Sequence, residues 1–120
     1  MTNVPYYNFP DFIQSGTQSA LTNYWMWGYH PGSFTRAVLE NDLFRAASCA
    51  DYNNKRHLAE LAEWVYFNAP QSSFGSKELV EAWLADRDNR RTRYSAKKEK
   101  EHTLKILSSS PKDFDNEPPF

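Results

Sequence analysis

Apolar positions along this chain recur at helical rather than strand-like spacing. The clearest pattern is Leu58, Leu61, Ala62, Val65 and Tyr66, one stripe of an amphipathic helix predicted over 52–67. Asp51 is its N-cap and Asn68-Ala69-Pro70 ends it. A second helix is predicted over 34–48, after the Pro31-Gly32 break, with Ser33 as N-cap. On it Phe34, Ala37, Val38, Asn41 and Arg45 form one stripe, and Leu39, Leu43 and Ala46 an adjoining one. Such a wide apolar arc predicts a central helix. A helix over 17–27 has Thr17 as its cap and Gly28 as a left-handed stop. A further helix opens at Gly75-Ser76, with Ser76 as cap and Glu78 near the positive end of the dipole. Its inward face is Leu79, Val80, Trp83 and Leu84. After Asp86 the apolar period stops, and only Leu104, Ile106 and Leu107 anchor the chain beyond it.

The predicted architecture is all-α, a compact bundle of about four helices. A helical domain spans 1–86 and begins with an extended aromatic arm that carries Tyr6, Tyr7, Phe9 and Phe12. A basic helical extension covers 87–107, and a disordered acidic tail covers 108–120. The length, 120 residues, is that of one domain. The single cysteine, Cys49, excludes an internal disulfide and a cysteine-based zinc site. Residues 1–10 have neither a basic start nor an apolar run, so no signal peptide is predicted. No stretch approaches the roughly 18 apolar residues of a membrane span. The expected compartment is the cytoplasm.

Charge divides the chain in three. Residues 1–86 hold five cations against nine carboxylates, residues 87–105 eight against three, and residues 106–120 one against three. The alternation speaks to partners rather than to fold. The basic stretch offers Arg87, Arg90, Arg91, Arg93, Lys97 and Lys98 to phosphates, which makes a nucleic-acid-binding protein the alternative functional reading. Its other reading is a solvated helix. Tyr94 is its only aromatic residue, so a stacking platform for single strands is not indicated.

Catalytic chemistry has little footing. His30, His57 and His102 lie in separate segments, without the i, i+4 spacing of helical metal ligands. Cys49 near a helix end reads as a small filler. No catalytic residue, metal or cofactor is predicted, and the chain is read as a non-enzyme.

Binding has more candidates. Tyr24, Trp25, Met26 and Trp27 are four successive large side chains, which point around the full helical turn and cannot share one face. Some of them, Trp25 and Trp27 foremost, are expected to meet another element, a second copy of the chain or a flat ligand. A homo-oligomer built through the arm and first helix is the most economical outcome. Asn41 falls on an apolar stripe and reads two ways: a buried amide tying its helix to the loop near Asn68, or a group facing a ligand. Gly32-Ser33 and Gly75-Ser76 are paired helix starts. They read as ordinary caps or, together, as two sets of free N–H groups that hold one anion.

The block 31–83 resembles a group of small bacteriophage and prophage proteins of no assigned activity. The likeness rests on Pro31-Gly32-Ser33-Phe34, on the run from Ala37 to Leu43, on the run from Trp64 to Pro70, and on Gly75-Ser76 followed by Trp83. It implies a phage accessory protein in the host cytoplasm that acts by binding. The expected target is a host protein, an anti-phage defence protein among them, or a nucleotide-like signal, which the chain would inhibit or sequester.

Overall fold

The computed structural model describes residues 6–109. Seven α-helices follow one another: α1 (Ser15–Trp27), α2 (Ser33–Leu39), α3 (Leu43–Cys49), α4 (Tyr52–Arg56), α5 (Leu58–Asn68), α6 (Lys77–Leu84) and α7 (Arg90–Ser109). Short 3₁₀ turns at Gln71–Ser73 and Arg87–Asn89 join the later helices, and no strand occurs among the described residues.

Two predicted helices are each broken in two. The helix expected over 34–48 stops at Leu39 because Asn41 takes a left-handed backbone, φ 63°. Asn tolerates that conformation better than most side chains. Asp42 then accepts from Arg45 N at 3.1 Å and caps a new helix. Asn41 is therefore exposed at a bend, not buried on a stripe, and Leu43 is 64% exposed. The helix expected over 52–67 breaks at His57, φ −115°. Asp51 does cap its first half, accepting from Asn54 N at 2.8 Å. Of the predicted inward stripe, Leu61 and Val65 are buried, whereas Ala62 and Tyr66 face out. Ser33 is the first helical residue of α2 rather than its cap, a place taken by Gly32. Thr17 is buried inside α1, which starts at Ser15.

Three of the four large side chains in the α1 run pack within the chain, and Trp27 stays 45% exposed. Tyr24, Trp25 and Met26 are buried. Tyr24 Oη donates to Ser73 O at 2.7 Å, Trp25 Nε1 donates to Ser73 Oγ at 3.1 Å, and Trp83 Nε1 donates to Tyr24 O at 3.0 Å. Each buried indole and phenol of this set thus finds an acceptor, as burial demands. Tyr24 is pushed up from the ordinary phenol pKa, chiefly by burial, and stays neutral.

Helix α7 packs back on α1 and α6. Arg91 Nη1 donates to Trp83 O at 2.8 Å and Leu84 O at 2.9 Å, so it satisfies carbonyls at the C-terminal end of α6. The same guanidinium lies where a Cβ at Gly28 would project, and Gly28 holds φ 71°. Glycine is required there twice over, by backbone and by space. The arm closes this side of the molecule. Tyr7 Oη lies 2.6 Å from Tyr94 Oη, Lys98 Nζ lies 4.5 Å from the centre of the Tyr7 ring, and Tyr6 Oη donates to Glu99. The expected tail lies, from residue 110 on, outside the described residues, and Ser108 and Ser109 continue α7.

Candidate functional site

The residues nominated from sequence do not gather in one place. Trp25 is fully buried in the core. Trp27 is 45% exposed and meets Tyr6 edge-on. Asn68 Nδ2 donates to Trp64 O at 2.8 Å at the end of α5, while Asn41 lines a different hollow. Ser76 Oγ accepts from Leu79 N at 3.1 Å and caps α6. Gly75 N donates to Leu39 O at 2.7 Å, so the start of α6 sits beside the last turn of α2. Ser33 lies about 9 Å away along α2, at a rise of about 1.5 Å per residue. The carbonyl end of α2, not its N–H end, meets α6, and a carbonyl end repels an anion. The paired helix starts form no common anion site.

The nominated cations of 87–98 are divided as well. Arg91 caps α6 from within, and Lys98 covers the Tyr7 ring. Arg90 lies 3.5 Å from Asp88, and Arg93 donates to Asp88 O. Arg87 and Lys97 remain exposed without a partner among the described residues. Asp88 and Asp86 both adopt positive φ in this turn. Hydrogen bonds from Thr92, first from its hydroxyl and then from its N–H, hold the Asp86 carboxyl below the usual range.

One groove does concentrate unsatisfied apolar surface. It has a volume of about 380 Å³ and lies where the two broken helices face each other. Ala37 and Val38 of α2, Leu43 and Ala46 of α3, and Leu58, Ala59 and Ala62 of α5 line it. Asn41 and Asp42 close one end, and Lys55 and Arg56 of α4 stand on its rim. A second hollow of about 390 Å³ continues it over Leu43 to Phe44. Phe44 is 87% exposed and Tyr52 is 75% exposed. Two large aromatic side chains thus stay open to solvent on the same side of the molecule as this apolar groove, Phe44 on its prolongation and Tyr52 beside Arg56.

Both walls are pinned. On one side, Glu40 accepts from Arg36 Nε at 2.6 Å and from Arg45 Nη2 at 2.8 Å, bridging the bend between α2 and α3. Burial pushes the Glu40 carboxyl up, but the hydrogen bonds and charges of Arg36 and Arg45 outweigh it and hold the pKa below its usual value. On the other side, Asn53 Nδ2 donates to Phe12 O at 3.2 Å and the Phe12 ring lies 5.2 Å from that of His57. His57 Nδ1 lies 2.6 Å from Glu60 Oε1 across the α4–α5 break. The N-terminal arm therefore anchors α4 and α5.

No three His, Cys, Asp or Glu side chains come together for a metal among the described residues. Cys49 is exposed at the end of α3. Of the residues nominated from sequence, Asn41 lines these two hollows; Phe44, Lys55, Arg56 and Ala59, which also line them, were not nominated. The available signal was Asn41-Asp42 itself, a residue tolerant of left-handed backbone followed by an N-cap, which spells one helix ending and another beginning. No helix of the described residues is long and apolar enough to cross a membrane. Comparison with protein-family models, curated proteins and solved structures finds no match to this chain.

Proposed function

We propose that this chain is a non-enzymatic binding protein whose working surface is the groove between α2–α3 and α4–α5. The observation that supports it is the open apolar groove on pinned walls, prolonged over the exposed Phe44. Hydrophobic surface that a chain could have buried, but holds exposed on a fixed frame, is what a partner covers. The likeness to small phage proteins supplies the setting: an accessory protein that occupies a surface of a host protein and so inhibits or sequesters it. The target is a protein rather than a nucleotide-like signal, because most of the described lining is aliphatic and none of it is an aromatic ring on which a base could stack.

The test is retention of a host protein by the tagged chain in bacterial cells. The exposed Ala59 sits in the groove, so Ala59→Trp fills the groove without entering the core. Leu104→Ser, on the exposed face of α7, is the control. A host protein held by wild type and by Leu104→Ser but lost with Ala59→Trp is the expected result. Equal retention by all three removes the groove from the function.

A further inference from the structure

We infer that the occupant of the groove is an acidic amphipathic α-helix of the partner, recognised by Lys55 and Arg56. The inference rests on the groove being the binding surface. Helical form follows from the walls. They are helices whose backbone groups are largely bonded within themselves, so no strand edge is on offer to an extended peptide. An occupant must satisfy its own backbone, and a helix does so. Ala37, Ala46, Ala59 and Ala62 give a low lining, which allows helix axes to approach closely.

The sign of the occupant follows from charge. Residues 1–86 carry five cations against nine carboxylates, so this part of the chain is acidic. Arg36 and Arg45 are engaged by Glu40, Glu81 and Asp42. Lys55 and Arg56 stand together on the rim with no carboxylate partner among the described residues. Arg56 lies 5.6 Å from the centre of the exposed Tyr52 ring, which orients its guanidinium without neutralising it. The only carboxylate lining the groove, Asp42, caps α3 and lies 3.7 Å from Arg45. A local reversal of sign at the edge of an apolar groove selects a partner with acids beside its apolar stripe.

Three synthetic helical peptides of about five turns test this. They share one leucine stripe and carry Glu, Gln or Lys at the flanking positions. Fluorescence anisotropy with the full chain should rank them Glu over Gln over Lys, with the Glu peptide at least about tenfold tighter than the Lys peptide at low salt. The double substitution Lys55→Glu, Arg56→Glu should reverse the order, and circular dichroism should show an unchanged fold, since both side chains are exposed. Equal binding of all three peptides, or a preference for Lys, overturns the acidic assignment while leaving the groove as the site. If no peptide binds, or if Ala59→Trp leaves binding intact, the groove itself fails. A wild-type dimer that becomes a monomer with Ala59→Trp would make a second copy the occupant and overturn the inference. So would about tenfold tighter binding of the Glu peptide after Asp113→Asn, Asp115→Asn and Glu117→Gln, because the chain's own acidic end would then be the competitor.

Discussion

The arm, α1, α6 and α7 on one side and α2 to α5 on the other use the same kinds of side chain to opposite ends. On the first side Tyr7, Tyr24, Trp25 and Trp83 turn inward and their polar atoms are matched. Trp25 and Trp83 find acceptors at Ser73 and Tyr24, the hydroxyls of Tyr7 and Tyr94 hydrogen-bond to each other, and Arg91 ties α7 to the end of α6. On the second side the helices are short and twice broken, and Phe44, Tyr52 and Leu43 stay open. Aromatic content therefore says little about a chain until its polar atoms have been traced. Matched indoles and phenols build a frame, and the apolar surface left open on that frame is the place proposed for a partner.

The sharpest break of this contrast is at Trp83. Its side chain is fully buried, and its indole N–H is held by Tyr24 O. Trp83→Ala should cost about 3–5 kcal/mol, from the cavity it leaves. For a domain with a total stability of about 5–15 kcal/mol that is most of the margin. Urea denaturation should show a large fall in midpoint or a chain unfolded without denaturant. A loss below about 1 kcal/mol would mean that the frame is not centred on this residue.

A smaller effect is expected at Glu40, which bridges the bend between α2 and α3 in the second region. Glu40→Gln removes the charge that holds Arg36 and Arg45 across the bend. The loss should be about 1–3 kcal/mol near neutral pH. Its pH dependence has a fixed sign. The folded-state pKa lies below the ordinary 4.5, so the stabilisation is complete above that value and disappears as pH falls through the folded-state pKa. Thermal melts of wild type and Glu40→Gln should be well separated at pH 7 and converge as pH falls through the lowered folded-state pKa of Glu40. A constant gap across that range would place the effect in packing rather than charge.

Asn41 sharpens the comparison at the backbone. With φ 63°, the bend needs a residue at ease in the left-handed region. Asn41→Gly should leave the melting temperature nearly unchanged, whereas Asn41→Val should cost about 1–2 kcal/mol. Equal melts for both would mean that the bend is imposed by tertiary packing alone.

How far these features were legible in the sequence follows the range of the contacts involved. Helix ends that rest on a neighbouring residue could be read: Gly28 as a stop, Asp51 and Ser76 as caps. The amphipathic core of Leu61 and Val65 could be read from spacing. The bend at Asn41 carried a local signal, but a continuous 3.6-residue period over 34–48 placed the same residue on an inward stripe, and the period was followed across a break it did not respect. The closure of α7 on the arm had no local signal. Tyr7 and Tyr94 are 87 residues apart, and nothing in 87–105 distinguishes Arg91 and Lys98, which face inward uses, from Arg87 and Lys97, which do not. Charge composition sees the cations and not their partners. The groove was hidden for a related reason: its lining comes from both halves of each broken helix, which a continuous period reads as straight.

The smallest expected effect on stability is at Phe44, and it bears most directly on function. Its side chain is 87% exposed, so Phe44→Ser removes almost no buried surface. The melting temperature should stay within the change produced by about 0.5 kcal/mol. Phe44 sits on α3 two residues after the Asp42 cap, on the hollow that prolongs the groove. If that surface receives a partner, the phenyl ring is an anchor of the type that loses about 2 kcal/mol or more of binding on truncation, a drop of roughly thirtyfold in affinity. Anisotropy with the Glu-flanked peptide, run beside a melt of the same sample, reads both quantities. Weak binding with an intact fold separates the working surface from the frame at a single residue. Unchanged binding would place the partner's contacts on the α4–α5 wall instead, around Lys55, Arg56 and Ala59.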